Sequence, residues 1–175
     1  MDEKRNRSCT IKNRAASLFK GLPLFSYSFA MKENKEMHNY ILETQRLILR
    51  PLTVADSDAV FQWVGDERVA MCLVGSGSIG PDADRNDYWG FGYNFRQDCW
   101  GNGYATEAVK AMMKFAYEYF GITRFSSSHA EPNKASGHVM EKCGLHFVKY
   151  GQFQKLDGSC KMRSMEYENE NLIEI

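Results

Sequence analysis

Apolar residues recur at every third or fourth position between residues 105 and 120, which is the spacing of one face of an α-helix. The apolar positions are Ala105, Ala108, Val109, Met112, Phe115, Ala116, Tyr119 and Phe120. Lys110 and Lys114 fall away from this stripe, and Gly121 follows it as a residue that can end a helix in the left-handed conformation. The pattern predicts an amphipathic helix packed on a core. Similar but weaker patterns predict helices at residues 54–65 and 133–144.

Segments rich in branched and aromatic side chains predict the β-strands. They are residues 43–52, 88–95, 122–131, 145–156 and 160–168. The last two are joined across Asp157 and Gly158, so we expect them to form a terminal hairpin. Residues 76–87 show neither a helical nor a strand period and are predicted as a loop. Strands and helices are therefore mixed along the chain, which predicts an α+β fold.

The composition favours one compact domain without a nucleic-acid or membrane partner. The chain has 175 residues, 43% of them hydrophobic, and 22 basic residues balance 22 acidic ones. Its five cysteines contain no CxxC pair, which favours a reducing, cytoplasmic location over disulfides. His138, Cys143 and His146 match no metal-site spacing, so no metal is expected. The expected state is a monomer or a homodimer.

The first residues differ in character from the rest of the chain. Residues 1–37 are rich in basic side chains, and they enclose the short apolar stretch "GLPLFSYSFA". A targeting segment is one interpretation. The favoured interpretation is a disordered N-terminal extension before a domain at residues 38–175, with residues 1–30 dispensable for folding.

Two glycine-rich stretches compete as a binding site for a phosphate group. "VGSGSIG", at residues 74–80, has the glycine spacing of a dinucleotide-binding turn, but the proline and acidic residues after it make a poor helix. "WGNGYATEA", at residues 100–108, instead lies directly before the strongest predicted helix. The first N–H groups of a helix have no intrahelical partners, so they can receive an anion there. The second stretch is therefore the predicted site.

The second stretch, together with "NKASGHVMEKCGL" and the opening "ETQRLILRPLTVADSDAV", resembles the GCN5-related N-acetyltransferases (GNAT), and among them the Rim-type ribosomal-protein N-terminal acetyltransferases. The resemblance implies a three-layer α/β arrangement in which helices flank a mixed, mostly antiparallel sheet. It implies acetyl-CoA as cosubstrate, bound by Trp100, Gly101, Asn102, Gly103, Tyr104 and Ala105. The pantetheine arm would pass between the strands at 88–95 and 122–131, and Asn133 would contact the pantetheine or the adenosine part.

Two departures from the family pattern affect the expected chemistry. Met140 stands where many members have a tyrosine that protonates the leaving thiolate, so Ser136 or water is the candidate proton donor. Glu131, at the end of the strand before Asn133, is the candidate base. The alternative is a structural role for both residues, Ser136 as a hydrogen-bonding residue of the first helical turn and Glu131 as a solvated carboxylate at the helix start. The middle region, residues 66–87, is too short for the elements of the family, so one helix and one or two strands should be missing. We therefore carry two hypotheses. The first is an acetyltransferase acting on a protein N-terminal α-amine or a small amine. The second is a degenerate domain that binds acyl-CoA or a protein partner without catalysis.

Overall fold

The computed structural model describes residues 24–29, 40–51, 78–82, 88–95, 97–154 and 160–170. The predicted helix at residues 54–65 and the first two glycines of "VGSGSIG" lie outside the described residues. So does the tip of the predicted terminal hairpin.

The described strands form one eight-stranded sheet with the order β2-β3-β1-β4-β5-β6-β8-β7. Their bounds are β1 Leu24–Phe29, β2 Leu42–Glu43, β3 Ile48–Pro51, β4 Ser78–Pro81, β5 Trp89–Gly92, β6 Phe125–Ala130, β7 His146–Gln154 and β8 Lys161–Glu168. The pairs β2–β3, β4–β5, β6–β8 and β7–β8 are antiparallel, whereas β1 pairs in parallel with β3 and β4, and β5 with β6. The mixed, mostly antiparallel sheet expected from the sequence is confirmed.

Strand β1 corrects the prediction for the N-terminus. Its backbone pairs with β3 from Leu24 to Tyr27 and with β4 at Ser28 and Phe29, so it joins the two parts of the sheet. The predicted disorder of residues 1–37 is therefore wrong for residues 24–29. The physical reason is that β3 and β4 each offer an edge whose backbone groups need partners, and a segment of high β-propensity can supply them.

The structure corrects two further predictions, one for the segment that contains β2 and β3 and one for the segment that contains β4. The predicted strand at 43–52 is split by a turn at residues 44–47, so that β2 folds back on β3 with Leu42 opposite Leu49. The loop predicted at 76–87 is wrong for residues 78–81, which form β4. Gly80 lies opposite Gly90 inside the sheet, and Pro81 stands at the strand end, where a missing N–H is tolerated.

The two described α-helices lie where the sequence predicts them. Helix α1 runs from Tyr104 to Phe120 and ends at Gly121, which adopts the left-handed conformation with φ of 68°. Helix α2 runs from Lys134 to Lys142. Both helices pack on the sheet around one core. Its residues include Leu47, Leu49, Ile79, Trp89, Phe91, Val109, Met112, Phe115, Phe125 and Met140.

The sheet opens between β5 and β6. The ladder between these parallel strands contains only the pairs Trp89–Phe125 and Gly90–Ser126 among the described residues, although both strands continue beyond them. Ser127 Oγ still donates to the Phe91 carbonyl at 2.8 Å, after which β6 pairs with β8 alone. A gap therefore begins at the ends of β5 and β6, beside the start of α2.

Candidate functional site

The first candidate feature is the glycine turn before α1, residues 101–103. Gly101 and Gly103 have φ of 76° and 77°, a conformation that glycine adopts at little cost. No side chain caps α1, and Glu107 N donates to Gly103 O at 3.1 Å as the helix begins. The amides of Tyr104, Ala105 and Thr106 thus precede the regular helical bonds and lie at the positive end of the helix dipole. The exposed turn has the chemistry of an anion site.

Side-chain bonds fix the shape of the glycine turn. Trp100 Nε1 donates to the Phe95 carbonyl at 2.7 Å, and 48% of the Trp100 surface stays exposed. Asn102 Nδ2 donates to the carbonyls of Cys99 and Trp100, both at 3.2 Å. The predicted residues Trp100 to Ala105 are therefore brought together in one turn. Trp100 and Asn102 act on its conformation through these bonds.

A cluster that the sequence did not reveal lies beside the turn, where Glu107 of α1 meets the β2–β3 hairpin. Glu107 Oε1 accepts from Thr44 Oγ1 at 2.6 Å and from Arg46 N at 2.8 Å, and its Oε2 accepts from Arg46 Nε at 2.7 Å. Burial raises the pKa of the Glu107 carboxyl, but these hydrogen bonds and the Arg46 charge outweigh it and lower the pKa below its usual range. Glu107 is consequently ionised at neutral pH and holds the hairpin to α1.

The second candidate feature is the start of α2, where Asn133 and Ser136 lie. Asn133 Oδ1 accepts from Ser136 N at 3.3 Å as the helix cap, and Asn133 Nδ2 donates to Ser136 Oγ at 2.9 Å. The second bond uses a lone pair of the hydroxyl, so the Ser136 proton is left for another acceptor. Both polar ends of the Asn133 side chain are thus directed at Ser136.

Tyr93, just after β5, connects the opening in the sheet to α2. Its Oη donates to the Ser136 carbonyl at 3.2 Å, and burial raises the pKa of Tyr93 to about 12. The phenol therefore keeps its proton at neutral pH and acts as a hydrogen-bond donor. The family resemblance placed residues 88–95 beside the pantetheine arm but did not single out Tyr93, so this contact was missed.

Glu131 lies in an ion pair. Arg163 binds both of its oxygens, with Nη2 at 2.6 Å from Oε1 and Nε at 2.9 Å from Oε2. The hydrogen bonds from Arg163 and its charge lower the pKa of Glu131. A carboxylate with a lowered pKa is a weaker base, so this arrangement disfavours the role expected for Glu131.

The two helices set the distance between the two features. Cys143 Sγ lies 3.9 Å from the Thr106 carbonyl, which brings the end of α2 to the first turn of α1. Ser136 is two helical turns earlier in α2, about 10 Å back along its axis at ~1.5 Å per residue. Met140 lies between them and is 2% exposed, so its side chain belongs to the core.

The described residues also bear on metal binding and on membrane insertion. They contain no group of three histidine, cysteine, aspartate or glutamate side chains that could hold a metal ion. None of the helices they include is long and apolar enough to cross a membrane.

Comparison with known proteins identifies the region that contains these features. The family model described as "Acetyltransferase (GNAT) domain" matches residues 71–146, from before β4 to the start of β7. This part of the chain is therefore similar to a GNAT acetyltransferase domain. The match includes the glycine turn, both described helices and the opening in the sheet. The match supports the conclusion that the protein is an acyltransferase.

Two relatives extend the similarity. The uncharacterized protein YkkB of Bacillus subtilis is 26% identical over 133 residues, which are 75% of this chain and 73% of YkkB. The FsC-acetyl coenzyme A-N(2)-transacetylase of Aspergillus fumigatus is 33% identical over 69 residues. That stretch is 39% of this chain and 29% of the fungal protein.

Solved structures share the fold of this chain. A GNAT-family acetyltransferase from Bacillus anthracis has a TM-score of 0.60 and 20% identity, covering 73% of this chain and 96% of the other. A structure from Vibrio cholerae assigned as a ribosomal-protein-serine acetyltransferase has a TM-score of 0.58 and 15% identity, covering 75% and 97%. At these identities the likeness concerns the fold.

Proposed function

We propose that the protein transfers an acetyl group from acetyl-CoA to a primary amine, either the α-amine of a protein N-terminus or a small amine. The observation that carries the proposal is the exposed glycine turn at the start of α1, whose amides lie at the positive end of a 17-residue helix. A diphosphate is the kind of anion that such a turn binds. The name of the fungal relative supports acetyl-CoA as the donor and an amine as the acceptor.

The residues present fit an extended acyl-CoA molecule. The amides of residues 101–105 would hold the pyrophosphate, and Trp100 and Asn102 would support that turn. The opening between β5 and β6 would receive the pantetheine arm, which carries the reactive thioester away from the phosphates. Ser136 lies about 10 Å along α2 from Cys143, at ~1.5 Å per residue of helix, and Cys143 contacts the first turn of α1, so the spacing suits such an arm. Asn133 would act on the site through Ser136, rather than through the direct contact expected from the sequence.

Ser136 is the proposed proton donor to the departing thiol. Acetyl-CoA supplies the activated acyl group, and its CoA thiolate is a better leaving group when it receives a proton and departs as the thiol. Asn133 Nδ2 orients the Ser136 hydroxyl from one side, at 2.9 Å. Backbone N–H groups at the end of β5 are the proposed donors to the acetyl oxygen. Because Glu131 is tied to Arg163, the amine would have to arrive neutral or lose its proton to water.

The Rim-type resemblance favours a protein N-terminus as the acceptor. The Vibrio cholerae structure supports this choice only through the shared fold. A small amine is therefore the alternative acceptor. A cytoplasmic location, which the cysteine usage favours, agrees with a ribosomal-protein acceptor.

The ion pair at Glu131 and the burial of Met140 favour the second candidate, a domain that binds acyl-CoA without catalysis. A thiol-release assay with acetyl-CoA, N-terminal peptides and small amines separates the two candidates. We expect turnover by the parent protein. In Ser136→Ala the kcat should fall about 100-fold, the usual effect of losing a general acid, while the Kd of CoA stays constant. CoA binding without thiol release for any amine would favour the non-catalytic domain.

A further inference from the structure

The tip of the β2–β3 hairpin is fixed to the glycine turn. Thr44 N donates to Leu47 O at 2.9 Å, and Leu47 N donates to Thr44 Oγ1 at 2.9 Å, which closes the hairpin turn. The same Thr44 hydroxyl and the backbone N–H of Arg46 reach one oxygen of Glu107, at 2.6 and 2.8 Å. The hairpin therefore presents the Arg46 side chain at the beginning of α1.

The Arg46 guanidinium continues from Glu107 to the glycine turn itself. Nε and Nη2 each lie 2.7 Å from Glu107 Oε2, and Nη1 donates to the Asn102 carbonyl at 2.9 Å. The guanidinium carbon lies 5.0 Å from the centre of the Tyr104 ring. Nη2 is also 3.5 Å from the position that a Cβ of Gly103 would take. One side chain thus contacts the turn and the first residue of the helix together.

We propose that Arg46 is a positioning residue for cofactor binding, which fixes the glycine turn in the conformation that receives the pyrophosphate of acetyl-CoA. This inference rests on the proposed function of the turn. A bond to the Asn102 carbonyl orients the peptide between Asn102 and Gly103, whose N–H is then directed away from that oxygen. Gly101 and Gly103 can adopt many backbone conformations, so without this hydrogen bond the turn would also populate conformations that do not receive the pyrophosphate.

A different role for Arg46, simple attraction of the phosphate charges, makes an opposite prediction for Glu107. If charge alone mattered, removing the negative charge of Glu107 would strengthen CoA binding. If Arg46 acts by holding the turn, the same change weakens binding, because the carboxylate is what fixes the guanidinium. In Glu107→Gln the amide oxygen can still accept from Thr44 and from Arg46 N, while the amide NH₂ no longer attracts the guanidinium.

The experiment measures the Kd of CoA by titration calorimetry for the parent, Arg46→Met, Arg46→Lys, Glu107→Gln and the double variant Arg46→Met/Glu107→Gln. Lys114→Met is the matched control, since it removes one positive charge from an exposed side chain of α1, which has an ion pair with Glu118. We expect Arg46→Met and Glu107→Gln each to raise the Kd about tenfold, the loss of roughly one charged hydrogen bond. The double variant should be no weaker than the worse single variant, and Lys114→Met should equal the parent. Lysine at position 46 cannot bridge both partners, so it should not restore binding.

Steady-state kinetics provide the second measurement. The KM for acetyl-CoA should rise in Arg46→Met while kcat at saturation stays within about twofold, because the effect is on binding. An unchanged Kd in Arg46→Met, or tighter CoA binding by Glu107→Gln, would overturn the positioning role. Absence of CoA binding by the parent protein would overturn the proposed function itself and this inference with it. If Arg46→Met does not fold, the sign of the change in Glu107→Gln decides the question.

Discussion

Replacing Gly137 by alanine should destabilise the domain, although alanine is the better helix former. Gly137 is buried in α2, directly after Ser136, and faces β6 and β8. An added Cβ would lie 2.9 Å from His129 Nε2 and 3.0 Å from Tyr167 Oη, where ordinary contacts begin at 3.4 Å. His129 and Tyr167 are 4% and 3% exposed, so neither ring can retreat into solvent.

The magnitude follows from two opposing terms. Alanine in a helix interior is worth about 1 kcal/mol over glycine. Overpacking a core by one methyl group costs about 1–3 kcal/mol, because neighbouring side chains must shift against close-packed surroundings. The free energy of unfolding should therefore fall by roughly 1 kcal/mol, or about 2–4 °C in Tm for a domain of this size. A shift of α2 would also move Ser136.

Urea unfolding of four proteins isolates the contact: the parent, Gly137→Ala, His129→Ala and the double variant. The His129→Ala change removes the nearer contact and leaves space into which the Tyr167 ring, centred 5.4 Å from the His129 ring, can shift, so alanine at 137 should become stabilising by up to about 1 kcal/mol. The sign of the Gly137→Ala effect should thus reverse between the two backgrounds. Stabilisation by Gly137→Ala in the parent background would refute the steric argument.

Two other predictions concern β1 and Glu107. Deleting residues 1–29 should lower the Tm by several degrees, because β1 pairs with both β3 and β4, and an unchanged Tm would show that the strand is dispensable. The folded pKa of Glu107 is lowered, so its contribution to stability is present above the ordinary carboxyl pKa of about 4.3 and is lost as the pH falls through the lower folded value. The stability difference between the parent and Glu107→Gln should accordingly be largest at neutral pH and should shrink below about pH 4, whereas a pH-independent difference would contradict the assignment.

Local patterns were sufficient where an element is long and one face is buried. Helix α1 carries its apolar stripe through several turns, and Gly121 ends it as predicted. Strands β7 and β8 follow one another in the chain and pair with each other, so their hairpin could be predicted without knowledge of the rest of the fold.

Contacts between distant segments could not be predicted in this way. Strand β1 is fixed by pairing with residues more than 20 positions away, and its sequence alone did not distinguish a strand from an extension. Arg46 lies far from Glu107 in the chain, and a single arginine next to a strand carries no signal of its partner. The residues around Glu131 in the sequence give no sign of its ion pair with Arg163 on β8. Each of these cases needed the tertiary arrangement.

Calorimetric titration of CoA into Gly103→Asp and Gly121→Asp tests the central claim most directly. Both glycines are left-handed, with φ of 77° and 68°, and they stand at opposite ends of α1, so the backbone strain of the two changes is matched. Aspartate at 103 would place a carboxylate next to Arg46, in the position proposed for the pyrophosphate. The account predicts that Gly103→Asp loses CoA binding while Gly121→Asp binds like the parent. Equal affinity in a folded Gly103→Asp protein would contradict it.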